Sequence, residues 1–261
     1  EQEIKDAYPH GNEQMSVRKI LVDSSNLGTI QISETLSTER SRQWLAAFGF
    51  GEKTSLQFPG ESKGLLKLAR NWQGTEKFTF AYGYGYGTTA VQLVSAVNVV
   101  ANDGVYVGPK LVTEVVKADG SREMTPATPT RRVLSSATAA TMRSLMTDVV
   151  CYGTAQLAKI PGLSVAGKTG TGYIRQDNGT YIKDDGSRAY FASFVGFLPA
   201  TNPEFTVLVS VDEPDPGSRD RFGGTAAAPV FARIGQVIVN ELELRPSPGD
   251  TGCVGSRPAE L

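Results

Sequence analysis

The sequence predicts an α+β domain, an antiparallel sheet flanked by helices. Three observations point there. Helix-period apolar patterns fill the first half of the chain, strongly apolar strand segments come together later, and one apolar helix closes the domain. Strands and helices do not alternate in the manner of parallel β-α-β units. No internal repeat and no interdomain linker interrupts the chain.

The elements follow in order. Residues 1–14 are polar and read as a surface segment. From Met15 to Asp23, Val17, Ile20 and Leu21 recur at helical spacing. Ser37 to Phe48 reads as a second helix, with Trp44, Leu45 and Phe48 on one face and Gly49 as its stop. Residues 51–79 mix glycine, proline and charge and read as irregular. "AVQLVSAVNVVA" is an apolar helix ended by Asn102-Asp103-Gly104. A short strand from Tyr106 to Val112 and a turn at Asp119-Gly120 lead to a Pro/Thr-rich linker. A helix from Ser136 to Cys151 turns Met142, Leu145, Met146 and Val149 inward. Leu163 to Thr171 reads as a strand, followed by a polar excursion with turn signals at Asn178-Gly179 and Asp185-Gly186. "AYFASFVGFLP" and "EFTVLVSVDEP" are apolar on both faces and read as central strands. "GGTAAAPVFARIGQVIVNELEL" is the closing helix. Residues 1–244 form the domain, and residues 245–261, rich in Pro and Gly, read as a mobile tail.

Composition excludes several functions. The 261 residues are 40% hydrophobic and 20% charged, ordinary for a globular domain, and the net charge of −1 gives no basic footprint for nucleic acid. No apolar run is long enough to cross a bilayer, and the chain opens with neither a signal peptide nor Met, as expected of a piece of a longer protein. The one histidine is His10, so a Ser-His-Asp triad would have to use it, and zinc sites built from His and Cys lack ligands. Nucleophilic chemistry here calls for a lysine or carboxylate base. Cys151 and Cys253 could pair in an extracytoplasmic protein; the plainer reading is a buried thiol and a tail cysteine.

Two stretches carry candidate chemistry. In "SVAGKTGTG", Lys168-Thr169-Gly170-Thr171 sets a cation and two hydroxyls beside a glycine that permits close approach. On an edge strand its free N–H and C=O groups can add an extended peptide. The second stretch, "MSVRKILVDSSNLG", offers two overlapping motifs: Ser16 and Lys19 at S-x-x-K spacing, and Ser24 and Asn26 as S-x-N. At 100° per residue the apolar residues centre near ~90° and Ser24 falls at ~80°, on the buried face, whereas Ser16 and Lys19 lie near ~0° and ~300°. Lys19 also has Asp23 four residues on as a surface partner. Ser16 and Lys19 therefore read as a solvated helix flank.

S-x-N followed by K-T-G-T resembles the penicillin-binding protein and serine β-lactamase superfamily, whose third element is S-x-x-K. "TFAYGYG", "TTAVQLVSAVNVVANDGVY" and "FGGTAAAPVFARI" resemble blocks of the class B penicillin-binding proteins, the peptidoglycan DD-transpeptidases. The "SSNLG" form looks most like the division-specific branch, and the resemblance spans residues 3–243. In that family S-x-x-K precedes S-x-N by several tens of residues; here Ser16 precedes Ser24 by eight, on one helix. The resemblance thus implies a serine β-lactamase/DD-transpeptidase-like fold lacking its N-terminal nucleophile helix, with the nucleophile outside this chain.

It also implies a serine ester intermediate, D-Ala-D-Ala stem peptides and β-lactams as ligands, and no metal or cofactor. Lys168, Thr169, Gly170 and Thr171 would bind the donor carboxylate, and the Thr171 N–H would form half of an oxyanion hole. Ser24 would relay a proton and Asn26 would hold the donor's carbonyl. Tyr82 to Gly87 would be a structural turn behind the cleft. The localisation implied is the outer face of the bacterial cytoplasmic membrane, with an upstream anchor and divisome membrane proteins as partners. Without the nucleophile helix an apolar groove should be exposed, and pairing of chains through it is expected. A β-lactamase or β-lactam sensor, and a non-catalytic binding module of the same fold, are the alternatives.

Overall fold

The computed structural model describes residues 4–7, 11, 13–215, 217, 219–246, 250, 252–253, 258 and 261. His10 lies outside the described residues. The helical first half begins with α1 (Val17–Asp23) and, two residues later, α2 (Asn26–Glu34). A Cβ on Gly28 would lie 2.6 Å from Cγ1 of Ile20, so only glycine lets α2 touch α1 there. Next come α3 (Thr38–Ala47), capped by Ser37, and α4 (Glu76–Thr79), one turn within the otherwise irregular 51–79 stretch. A capping box of Thr89 and Gln92 opens α5 (Ala90–Ala101). The buried Gln92 amide donates to Glu52 O at 2.7 Å and Lys63 O at 3.0 Å, which pins the irregular stretch to α5.

Four short strands follow: β1 (Val105–Val107), β2 (Glu114–Val116), β3 (Arg122–Met124) and β4 (Thr130–Arg132). β1 pairs with β4 and β2 with β3, both antiparallel. The single strand expected from Tyr106 to Val112 is therefore shorter, and the linker carries a hairpin around Asp119-Gly120. Three-residue strands are too brief to show alternation. After them come α6 (Ser136–Tyr152), β5 (Ala166–Tyr173), β6 (Tyr190–Leu198), β7 (Phe205–Asp212), a π-turn at Gly223–Ala227 and α7 (Ala228–Glu241).

The main sheet is antiparallel in the order β5-β6-β7. β6 is buried on both faces, as its apolar run predicts. Phe194 meets Phe231 of α7 edge-on, with centroids 4.8 Å apart, while Phe197 packs with Val100 of α5 and Met146 of α6. Truncating either fully buried ring to Ala should cost about 3–5 kcal/mol. The expectation that both apolar strands are central is corrected for β7: among the described strands it lies at the sheet edge, and most of its residues are only half-buried. Its side chains pack against α5 and α7. Among the described residues no helix is long and apolar enough to cross a membrane.

The reading of two unpaired cysteines is corrected as well. Cys151, at the end of α6, is disulfide-bonded to Cys253. Nearby, the Asp250 carboxylate accepts from the N–H (3.1 Å) and hydroxyl (2.7 Å) of Ser164, just before β5. These two tail residues are tied to the domain.

Candidate active site

The site forms where the turn between α1 and α2 meets the head of β5. Ser24 ends α1 in the left-handed region, φ 58° and ψ 44°. That conformation is costly for a residue other than glycine. It breaks the helix so abruptly that Ser25 already serves as N-cap of α2, its hydroxyl accepting from Gly28 N–H at 2.9 Å. Ser24, leaving the buried face of α1, meets Lys168 of β5: Nζ donates to Ser24 Oγ at 2.7 Å across 144 residues of sequence. Asn26 is the first residue of α2, and its Nδ2 donates to Lys5 O at 2.9 Å.

Lys168 is half-buried, and a second N–H of its ammonium donates to the Thr169 carbonyl at 3.1 Å. Among the described residues no carboxylate pairs with it. Loss of water around the ammonium therefore goes uncompensated, and burial holds its pKa down to about 8. An ammonium has three N–H donors and two are engaged, so one remains for a ligand. A buried cation without a counter-charge favours an anion in that place.

β5 pairs only with β6 among the described strands, so its other edge is open. Tyr173 N–H donates to the Tyr84 hydroxyl at 3.0 Å, whereas Ile174 N–H donates to Ala189 O beside β6. With a two-residue period, the N–H groups of Thr169 and Thr171 point to the same open edge as that of Tyr173. Thr169 and Thr171 turn their side chains to the opposite face from Lys168. The Thr169 hydroxyl bonds the Thr154 hydroxyl at 2.8 Å, and the Thr171 hydroxyl accepts from Gly223 N–H at 3.0 Å. A Cβ on Gly223 would sit 2.5 Å from Gly170 O and 2.2 Å from Ser193 O, so glycine lets the π-turn press on this strand. Gly170 and Gly223 thus make one close-packed contact behind the open edge.

Ser16 and Lys19 stand apart from this constellation. The Ser16 hydroxyl caps α1, accepting from Lys19 N–H at 3.1 Å, and Lys19 Nζ bonds Asp23 at 2.7 Å. The Asp23 partner holds as expected, but the flank is less solvated than the wheel implies: the Lys19 side chain is 19% exposed, while Val17, expected on the buried face, is 59% exposed. Two residues that the sequence reading left out take part. Tyr84, of the run taken as a turn behind the cleft, instead reaches the open edge of β5, where burial pushes its phenol pKa up and keeps it protonated. Asp6, in the segment read as surface, bonds the start of α2. Neither sits in a spacing pattern that marks it; only the fold brings them in.

Comparison with known proteins decides the family. The model of the penicillin binding protein transpeptidase domain matches residues 1–236. The chain belongs to this transpeptidase-domain family. It is 34% identical to penicillin-binding protein PbpB of Mycobacterium tuberculosis, over 94% of this chain and 37% of that protein. It is 31% identical to stage V sporulation protein D of Bacillus subtilis, over 87% of this chain and 34% of that protein. The crystal structure of M. tuberculosis penicillin binding protein 3 with aztreonam superposes with a TM-score of 0.85 at 30% identity, covering 97% of this chain and 57% of that one. The chain thus spans less than two fifths of these curated relatives. In the solved structures of the family the fold expected from the motifs is the fold found here.

Proposed function

We propose that this chain is the motif-bearing C-terminal part of the transpeptidase domain of a peptidoglycan D,D-transpeptidase, and that the serine nucleophile comes from sequence outside these 261 residues. The observation that carries the reading is Lys168: half-buried, its ammonium stripped of water, without a carboxylate partner among the described residues, bonded to Ser24, and placed at the head of an open strand edge. Relatives named peptidoglycan D,D-transpeptidase, among them one from Buchnera aphidicola, support the reaction class. Structures of a relative with aztreonam and with ampicillin support β-lactams as ligands.

The donor is a stem peptide ending in D-Ala-D-Ala. Its C-terminal carboxylate takes the free N–H of Lys168; the Thr169 and Thr171 hydroxyls, expected from the sequence as its partners, are instead turned to the other face and bonded to Thr154 and Gly223. The peptide runs along the open edge of β5, and the Thr171 N–H receives the carbonyl oxygen as charge builds there. One such donor is worth about 3 kcal/mol of barrier. The nucleophile's Oγ bonds to the penultimate D-Ala carbonyl carbon, the C–N bond breaks, and the departing D-Ala amine takes a proton through Ser24. An acceptor amine then attacks the ester, forming a C–N bond and returning the serine oxygen with its proton. Asn26 holds the donor carbonyl through its second N–H. The Cys151–Cys253 bridge fits an extracytoplasmic site, at the outer face of the cytoplasmic membrane. Names such as FtsI and stage V sporulation protein D point to a role in division.

A protein extended upstream to include the nucleophile tests the reading. With a chromogenic cephalosporin it should give one equivalent of ring opening and then near silence, and it should release D-Ala from a pentapeptide donor. Sustained rapid turnover would favour a β-lactamase; neither reaction would favour a non-catalytic module.

A further inference from the structure

Asp6 lies in a polar segment with no motif, yet its carboxylate closes the start of α2. Oδ1 accepts from Asn26 N–H at 2.5 Å and Leu27 N–H at 3.1 Å, and Oδ2 accepts from the Ser25 hydroxyl at 2.7 Å. Ser25 in turn accepts from Gly28 N–H, and its carbonyl takes Thr29 N–H. The first four N–H groups of a helix have no partner within it. Here Asp6 accepts directly from two of them, Asn26 and Leu27, and grips the Ser25 hydroxyl that accepts from a third, Gly28; the fourth, the Ser25 N–H, goes to Ile20 O. A carboxylate is also favoured there by the helix dipole. Ser25 is only 2% exposed, so its bond to Gly28 is shielded from water, whereas the Asp6–Leu27 bond lies at the surface.

The geometry around Asp6 ties two candidate catalytic groups to one carboxylate. Ser24 and Asn26 flank Ser25, the residue Asp6 grips by its hydroxyl. Ser24 sits in left-handed backbone, which persists only where neighbours over-determine it. Next to Asp6, the Lys5 carbonyl takes one N–H of the Asn26 amide. That sets which end of the amide donates, leaving Oδ1 and the second N–H for other partners.

We infer that Asp6 is a positioning residue for the S-x-N turn: its carboxylate, through Ser25 and the Asn26 N–H, holds Ser24 toward Lys168 and seats the start of α2 where the neighbouring Lys5 carbonyl fixes the Asn26 amide. This rests on the transpeptidase reading for its consequence, though the clamp itself does not. Asp6 acts through Ser25 and the backbone of α2. Removing it frees two helix N–H groups and the Ser25 hydroxyl together, and the strained turn loses its outer support.

The test uses the longer protein that carries the nucleophile, with Asp6→Ala and Asp6→Asn variants. Asparagine keeps a carbonyl oxygen for the two N–H groups; alanine keeps none. Two quantities are read: hydrogen exchange of backbone amides 25–28, and the second-order rate of acylation by a fluorescent penicillin. Asp6→Ala should exchange those amides at least about 10-fold faster and acylate about 10- to 100-fold more slowly, the effect of losing charge-assisted bonds. Asp6→Asn should recover most of both, a rescue that general destabilisation does not produce. Exchange and acylation of Asp6→Ala within about twofold of the parent would overturn the inference, as would Asp6→Asn exchanging as fast as Asp6→Ala. If Asp6→Ala does not fold, Asp6→Asn alone decides, since 10-fold faster exchange in it would refute an acceptor role. If the unsubstituted protein is not acylated, the transpeptidase reading falls and the exchange data still judge the clamp.

Discussion

Two serine–lysine pairs sit within one small region of this molecule, and they differ in everything except residue type. Ser16 and Lys19 have the spacing of a catalytic pair, but the serine caps a helix and the lysine is held by Asp23. Ser24 and Lys168 are 144 residues apart, yet their side chains meet at 2.7 Å. What separates them is environment. Lys19 has a carboxylate partner at the surface, and such pairs contribute only a few tenths of a kcal/mol. Lys168 has no carboxylate partner among the described residues, and burial brings its pKa to about 8. A motif is a statement about spacing; chemistry depends on what the fold places around it.

The largest expected effect that could break this comparison comes from Lys168. In the nucleophile-bearing protein, Lys168→Met should lower the rate of penicillin acylation by about 10³-fold, since it removes the cation that holds the ligand's carboxylate. The thermal midpoint at pH 7 should not fall. Unfolded, Lys168 keeps its proton up to its ordinary pKa of 10.5; folded, it loses it at about 8. Between these values the unfolded chain binds more protons, so stability from this group rises with pH across that window. Below pH 8 the full desolvation penalty stands, at most about 3 kcal/mol, and methionine relieves it. A melting curve beside the rate separates the two claims.

Next in size, Ser24→Ala should slow acylation about 10²-fold or more, the usual worth of a positioned proton relay. A smaller effect is expected from pH. The ammonium form of Lys168 does the holding, so the acylation rate should fall above about pH 8, by about tenfold at pH 9. A rate that instead rises through pH 8 would make neutral Lys168 a base. Smallest of all, Ser16→Ala and Lys19→Ala should leave acylation unchanged. Denaturant melts should register only the lost cap, about 1 kcal/mol, and the lost surface pair, below about 0.5 kcal/mol.

Much of the fold was legible from periodicity. α1, α3, α5, α6 and α7 and the three long strands lie where 3.6- and 2-residue patterns place them, most clearly α5, α6 and β6, which bury apolar residues along a whole face. α2 was not legible: Gly28 and its mix of polar residues blur the pattern, and its stability comes from Asp6 and from contact with α1. The short hairpins were hidden for lack of length. Of the site, the helical wheel put Ser24 on the inward face and the motif marked Lys168. Their meeting rests on sheet and helix packing that no local window contains. Tyr84 and Asp6 were missed for the same reason, since each acts by bonding a backbone N–H far away in sequence.

The most direct test of the central claim, that Ser24 and Lys168 form the working pair while Ser16 and Lys19 do not, is intact mass after incubation with penicillin. It should be run on this chain and on the protein extended upstream. The account predicts one drug mass added to the extended protein alone, on a serine outside these 261 residues. A stable adduct on this chain, mapped to Ser16, would contradict it.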